Sequence, residues 1–185
     1  MVAVSEGLGQ GYFVCDWCGW ATPKDGKTTS RKHDRPLTGQ PCGKGNLGLF
    51  SLAHRYETDI AEIVLHGSGH HRQGDKARWS LLYALLEGAS ERLEISRDDI
   101  DGSLSWTDTG QRTFAIFDTV PGGAGAAKKI AEKLELVFEA ALARVADCDC
   151  GPETSCYGCL RNSRNQRHHD YLSRQGAIDL LDELE

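Results

Sequence analysis

The chain has no run of about 20 consecutive apolar residues, the length a helix needs to cross a bilayer, so no membrane-spanning helix is expected. Its first residues, MVAVSEGLGQGYF, lack a basic segment followed by an apolar stretch and do not read as a secretory signal. Positive charge is also scarce. The 21 Lys and Arg against 27 Asp and Glu leave a formal net charge of -6, which argues against coating nucleic acid by bulk charge. Neither G-x-x-x-x-G-K-[ST] nor G-x-G-x-x-G occurs, so the common glycine loops for nucleotides are missing, and no ATPase motor is legible. Internal repeats and low-complexity tracts are absent too. What remains is 185 residues of ordinary globular composition, long enough to bury a core without leaning on a metal alone.

Cysteine, by contrast, is plentiful. Seven cysteines without an export signal fit metal binding in a reducing cytoplasm better than a disulfide framework. Six fall in close pairs: Cys15 with Cys18, Cys148 with Cys150, and Cys156 with Cys159, while Cys42 stands alone. The last four form C-x-C-x5-C-x2-C within twelve residues, with Gly151, Pro152 and Gly158 available for the tight turns. Zinc takes four such ligands tetrahedrally, and four thiolates leave no position for water, so the site reads as structural. An iron–sulfur cluster is the alternative occupant of a four-cysteine set. The other group, Cys15, Cys18 and Cys42, lacks one ligand. His33 is preferred because Cys18 and Cys42 bracket it, with His54 as runner-up and His66, His70 and His71 beyond the next strand. Two zinc ions are expected.

Glycine and proline punctuate residues 11–45, which read as a loop-rich knuckle. Residues 56–65 (YETDIAEIVL) read as a strand and GSGHHRQG as a flexible connection. Asp75 to Leu93 reads as a helix capped by Asp75, with Trp79, Leu82, Tyr83, Leu86 and Ala89 on one face. An irregular region holding a strand or hairpin follows. Then come a buried strand at 112–120, a long helix at 126–145 and a closing helix at 171–184 with Ile178, Leu181 and Leu184 as its stripe. The pattern predicts an α+β fold, a mixed sheet with packed helices carrying two zinc knuckles. Residues 1–50 form the N-terminal knuckle and residues 51–185 the α/β domain with the four-cysteine site.

Between that strand and helix lies FDTVPGGAG. Asp118, Gly122, Gly123 and Gly125 form a glycine loop that could offer backbone amides to a phosphate, or could be a tight turn in which Asp118 accepts those amides itself. Two segments beside the cysteines are locally basic: Lys24 to Lys44 at +4 and Arg161 to Arg174 at +3. In the second, Arg161, Arg164, Asn165, Gln166, Arg167 and His168 offer donors suited to phosphates and bases, with Tyr157 and Tyr171 able to stack on an exposed base. The same arginines could instead pair with the acidic closing helix.

DTVPGGAG, then CDCGPETSCYGCLRNSRNQ and a terminal helix, resembles the zinc-binding domain of MrfA-type superfamily 2 DNA helicases. VCDWCG, HDRPLTGQPCGKG and LAHRYETDI resemble the DrmB family, the helicase-associated component of the DISARM antiphage system. The resemblance runs from about Tyr12 to Leu181. It implies a zinc module working with a DNA-translocating helicase in phage defence or DNA repair, with Cys148, Cys150, Cys156 and Cys159 as ligands. The leading expectation is therefore a non-enzymatic accessory domain that binds or positions DNA for a superfamily 2 helicase subunit, with no catalytic residue assigned. A protein-docking module that recruits the helicase is the alternative. A metal-dependent nuclease using Asp118 ranks lower, because no second carboxylate stands at catalytic spacing.

Overall fold

The helix α1, Asp75–Leu93, is the centre of the larger part of the molecule. In this computed structural model, which describes residues 2–5, 11–24, 32–66 and 74–183, every residue from Leu81 to Leu86 is buried. Apolar side chains therefore run right round α1 rather than down a single stripe. A helix apolar on all sides belongs inside a fold, and α1 is walled in by sheet and helices. Its cap differs from expectation. Gly74 is the N-cap, with no side-chain cap hydrogen bond, and Asp75 is the acidic residue of the first turn, ion-paired with Arg78 and Arg112.

The chain divides into two compact units, Met1–Tyr56 and Glu57–Glu185, six residues beyond the boundary the sequence suggests. In the first, β1 (Val2–Ser5) pairs antiparallel with β5 (Leu52–Arg55). The strands β2 (Tyr12–Cys15), β3 (Ala21–Pro23) and β4 (Leu47–Phe50) form a second antiparallel sheet in the order β3-β2-β4. The expected loop-rich knuckle is thus built on strands.

In the second unit, β6 (Ile60–Ile63), β7 (Ile100–Trp106) and β8 (Arg112–Asp118) form a sheet in the order β6-β8-β7. The fold is α+β as expected, and the sheet is antiparallel throughout rather than mixed. Its register pairs Leu104 with Phe114, Gly102 with Ile116 and Ile100 with Asp118. Side chains alternate along a strand, so Phe114, Ile116 and Asp118 share one face of β8. Ala61 and Ile63 of β6 sit opposite Ile116 and Phe114 on that face. All five are buried. Asp118 is therefore the last inward-pointing residue of an otherwise apolar row.

The long helix expected at 126–145 is two helices, α2 (Ala126–Glu132) and α3 (Leu134–Ala146), separated at Lys133 with φ -125° and ψ 33°. The break has a packing reason. α2 lies on β6 and β8, whereas α3 packs against α1 and the closing helix α4 (Arg174–Asp182), surfaces one straight helix could not serve together. α4 starts later than expected. Ser173 caps it by accepting from the Gly176 amide at 3.1 Å, and Ala177, Leu180 and Leu181 are its buried residues. Ile178 is partly buried against the core, and Leu184 and the GSGHHRQG connection fall outside the described residues, apart from Gly74.

α1 and α3 cross at Gly88. A Cβ placed there would lie 2.7 Å from the Ala141 amide nitrogen and 3.1 Å from the Val137 carbonyl oxygen, both backbone atoms that cannot swing aside. Gly88→Ala should therefore destabilise the protein by about 1–3 kcal/mol through overpacking, although alanine is the better helix former by about 1 kcal/mol. Thermal unfolding followed by circular dichroism tests this. A melting temperature unchanged or raised would show that the two helices can separate freely.

Candidate metal centres

The four-cysteine group forms where α3 ends and the chain doubles back. Cys148 and Cys150 follow α3, and the Pro152–Ser155 segment turns the chain so that Cys156 and Cys159 face them. Backbone bonds fix that second half: the amides of Cys159, Leu160 and Arg161 all donate to the Cys156 carbonyl at 2.9–3.2 Å. Sulfur–sulfur separations are 3.6 Å for Cys148–Cys150, 3.5 Å for Cys148–Cys156, 3.7 Å for Cys150–Cys159 and 3.8 Å for Cys156–Cys159. A tetrahedron of sulfurs ~2.3 Å from zinc has edges of about 3.8 Å, whereas a disulfide would need ~2.05 Å. The donor set therefore fits a zinc ion.

Ionisation in this group is divided. Burial pushes the Cys150 thiol up to about 12. Burial opposes ionisation of Cys156 as well, but hydrogen bonds from Cys148 and the Gly158 amide outweigh it and bring that thiol down to about 7. Four thiolates this close would repel one another. A divalent cation removes the conflict, because it favours the anionic form at every ligand.

The second group answers the question of the missing ligand. Cys15 ends β2, Cys18 sits in the turn that follows, Cys42 precedes β4, and His33 joins them, so that one donor atom from each lies within 4.8 Å of the others. The His33 Nε2 is 3.2 Å from the Cys18 sulfur, and Cys15 and Cys42 sulfurs are 4.0 Å apart. His33 is positioned by its backbone carbonyl, which accepts from the Cys42 amide at 2.9 Å, and by Trp20, stacked on its ring at 4.7 Å. The amides of Lys44 and Gly45 hold the Cys42 thiol down at about 7, and the Cys18 amide lowers Cys15. A three-thiolate, one-imidazole set suits zinc, so the chain carries two groups fit for two zinc ions. Among the described residues His66 does not join and is exposed, while His70 and His71 and the side chain of His54 lie outside the described residues.

The glycine loop takes the tight-turn alternative. The buried Asp118 carboxylate accepts from the amides of Ala124 at 2.5 Å, Ala126 at 3.2 Å and Ala127 at 2.6 Å. Those are the amides a phosphate would have used, so the start of α2 already holds its anion. Gly122, Gly123 and Gly125 have φ of 89°, 79° and 81°, which lets the turn curl over the carboxylate. The same burial encloses the Asp118 carboxylate rather than presenting it to solvent.

The basic segment divides between fold and surface. Asn165 is fully buried: its side chain donates to the Leu160 carbonyl at 2.8 Å and accepts from the Asn162 amide at 2.9 Å. His168 is buried against Trp79 at 4.2 Å and bonded to Tyr171. Burial and the adjacent Arg167 charge hold its imidazole down at about 4, so it is neutral and accepts from Arg167 Nε at 2.9 Å. Arg161 ties the knuckle together, donating to Ser155 at 2.9 Å and to the His169 carbonyl at 3.2 Å. Arg164, Gln166 and Arg167 are the members left exposed. Among the described residues Arg161, Arg164 and Arg167 make no ion pair with Asp179 or Asp182. Arg164 instead pairs with Asp98 at 2.9 Å.

One functional residue has no sequence signal at all. Glu87, on α1, is largely buried and receives Arg97 at 3.0 Å, Arg144 at 3.7 Å and the Asn162 side chain at 2.8 Å. Arg144 also donates to the Cys159 carbonyl at 2.9 Å. Glu87 thereby clamps the knuckle to the core. Its place as an ordinary helix-favouring acid hides this in sequence.

Elemental analysis of the purified chain should return two zinc ions, falling to one in Cys156→Ser and to one in His33→Ala, with a lower melting temperature in the cysteine variant. A single zinc in the unmutated chain would remove one group. Asp118→Ala should cost at least about 2 kcal/mol, since it leaves three buried amides without an acceptor. A melting temperature unchanged by that substitution would contradict the reading of the loop.

Residues 81–160 match the family model of the MrfA Zn-binding domain. A curated relative, Druantia protein DruE of Escherichia coli (strain UMEA 4076-1), is 27% identical over 202 residues, covering 96% of this chain and 11% of DruE. That relative belongs to Druantia, whereas the sequence reading pointed to DISARM. Two crystal structures share the fold at 19% identity. DUF1998 helicase MrfA bound to DNA gives a TM-score of 0.57 over 83% of this chain and 20% of MrfA. The same helicase bound to DNA and AMPPNP gives 0.53 over 82% and 19%. The chain is thus similar to the MrfA Zn-binding domain over residues 81–160, to DruE in sequence and to MrfA in fold, and it spans about a tenth to a fifth of those relatives.

Proposed function

We propose that this chain is a non-enzymatic zinc-binding accessory module of a cytoplasmic helicase system, which binds DNA and positions it for a superfamily 2 motor. The motor would lie elsewhere in a larger protein or in a partner, because these residues contain no nucleotide-binding loop. The setting would be antiphage defence of the Druantia or DISARM kind, or DNA repair. Support for the setting comes from the similarity to DruE and to a helicase crystallised with DNA.

The observation that carries the DNA reading is the exposure of Arg164, Gln166 and Arg167 on a segment otherwise locked to the fold. Asn165 and His168 alternate with them and are buried, so the backbone between the arginines is fixed while their charges face water. Arg164 is held by an ion pair with the exposed Asp98 at 2.9 Å and by a hydrogen bond to the Asp98 carbonyl at 3.2 Å, and an exposed pair of this kind is worth at most about 1 kcal/mol. It can exchange that partner for a phosphate at small cost. Arg161 supports this surface from within and is not counted among its contacts.

A protein-docking role is the second reading. It is favoured by a groove on the second unit where Ile63, Leu65, Leu134, Phe138 and Leu142 meet, and by the acidic average charge. Co-purification with a helicase subunit, insensitive to nuclease and to substitution of Arg164, would favour docking over DNA.

DNA affinity measured against salt tests the leading reading. The double substitution Arg164→Ala with Arg167→Ala should weaken binding and reduce the slope of log K against log salt by about 1.5–2, with zinc content unchanged and the melting temperature lowered only by the lost Arg167–His168 hydrogen bond. Arg161→Ala should lower the melting temperature instead. Undetectable binding of the unmutated chain at low salt would overturn the proposal.

A further inference from the structure

The two zinc groups share a feature that metal binding does not require. Each contains a Cys-x2-Cys turn, Cys15-Asp16-Trp17-Cys18 in one and Cys156-Tyr157-Gly158-Cys159 in the other, and each turn carries one aromatic residue between its ligands. Both aromatics point into water: Trp17 is 61% exposed and Tyr157 65%. The turn itself needs only backbone amides aimed at sulfur, which any residue supplies. The repetition of an exposed ring at the same place in both turns is therefore not set by the metal.

Each ring is also braced. On the first unit, the Trp17 turn is fixed by the Cys15 amide bonded to the Trp20 carbonyl at 2.8 Å and by the Asp16 carboxylate accepting from the Asn46 amide at 2.8 Å. Lys44, on the strand side of the same group, places its ammonium 5.8 Å from the Trp17 ring centre. On the second unit, Tyr157 stands edge-to-face with His169, the rings 5.6 Å apart at 89°. The His169 Nε2 is bonded in turn to the side chain of the buried Asn165 at 2.8 Å and to the Asn162 carbonyl at 3.1 Å. The basic segment with Arg164 and Arg167 continues directly from this brace.

We infer that Trp17 and Tyr157 are stacking platforms for unpaired nucleobases, and that the ligand class of this protein is single-stranded nucleic acid. An aromatic ring can stack only on a base whose face is free, which duplex DNA does not offer. Lys44 near Trp17, and Arg164 and Arg167 on the segment that follows Cys159, would supply cations for the phosphates of the same strand. Because backbone bonds fix the turn that carries each ring, little backbone ordering is lost when a base arrives. The inference rests on the DNA-binding reading above and names its strand form.

Three fluorescent probes of equal length separate the contributions: an oligo(dT) strand, a duplex, and an abasic strand that keeps every phosphate but has no bases. The full chain should bind oligo(dT) more tightly than either of the others. Tyr157→Ala and Trp17→Ala should each lower oligo(dT) affinity about 5- to 150-fold and leave the abasic strand unaffected, while Tyr157→Phe retains the affinity. The Arg164→Ala, Arg167→Ala double variant should weaken all three probes. Zinc content and melting temperature, unchanged in the exposed-ring variants, exclude unfolding as the cause. Equal binding of oligo(dT) and the abasic strand, or alanine variants with unaltered oligo(dT) affinity, overturns this inference and leaves the phosphate reading standing. Failure to bind any of the three overturns both.

Discussion

Everything at the C-terminal end depends on four sulfurs being held at the edge lengths of one tetrahedron. Their convergence forces the chain after α3 to reverse within a few residues, which it could not do for an apolar reward of its own, since Gly151 to Thr154 are all exposed. The turn then delivers Cys159 and Leu160 into the core, where both are fully buried, and releases the segment from Arg161 onward across the surface of α1. A metal held by four thiolates has no open position, so its contribution is to shape rather than to chemistry.

That shape is joined to the helices by charge. Glu87 reaches Arg97, Arg144 and Asn162 from a site that water hardly enters, and Arg144 continues to the Cys159 carbonyl. Arg174 closes the other side by donating to the Val145 carbonyl at 2.8 Å, and its own amide bonds to the Thr154 carbonyl at 2.9 Å. A buried carboxylate is tolerated only when its acceptors are filled, so removing one partner leaves the others uncompensated. Metal, carboxylate and helix ends thus act together, and the exposed Arg164 and Arg167 inherit a fixed backbone from them.

Some of this was legible in residues and spacing. Asp75 to Leu93 is helical to the residue, because nineteen positions without proline and rich in leucine and alanine leave few alternatives. The cysteine pairs announce both metal groups, and His33 joins the second because the loop between Cys18 and Cys42 contains no other histidine or cysteine. The division into α2 and α3 was not legible. Both carry helix-favouring residues through Lys133, and only the need to pack on the sheet and on α1 separates them.

Sequence by itself determined the ligand types, the α+β class and the central helix, since these follow from local properties: thiol spacing, strand and helix propensity, apolar pattern. Tertiary structure alone decided what the polar residues do. Asp118 looks like an acid at the mouth of a phosphate loop, and strand register turns it inward to fill that loop. Arg161, Asn165 and His168 look like the same donor array as Arg164 and Arg167, yet burial assigns Asn165 and His168 to the fold and hydrogen bonds to Ser155 and His169 assign Arg161. The reason is physical. An apolar side chain has one favourable destination, the interior, whereas a polar one is equally satisfied by water, backbone, another side chain or a ligand, and only the folded neighbours settle which.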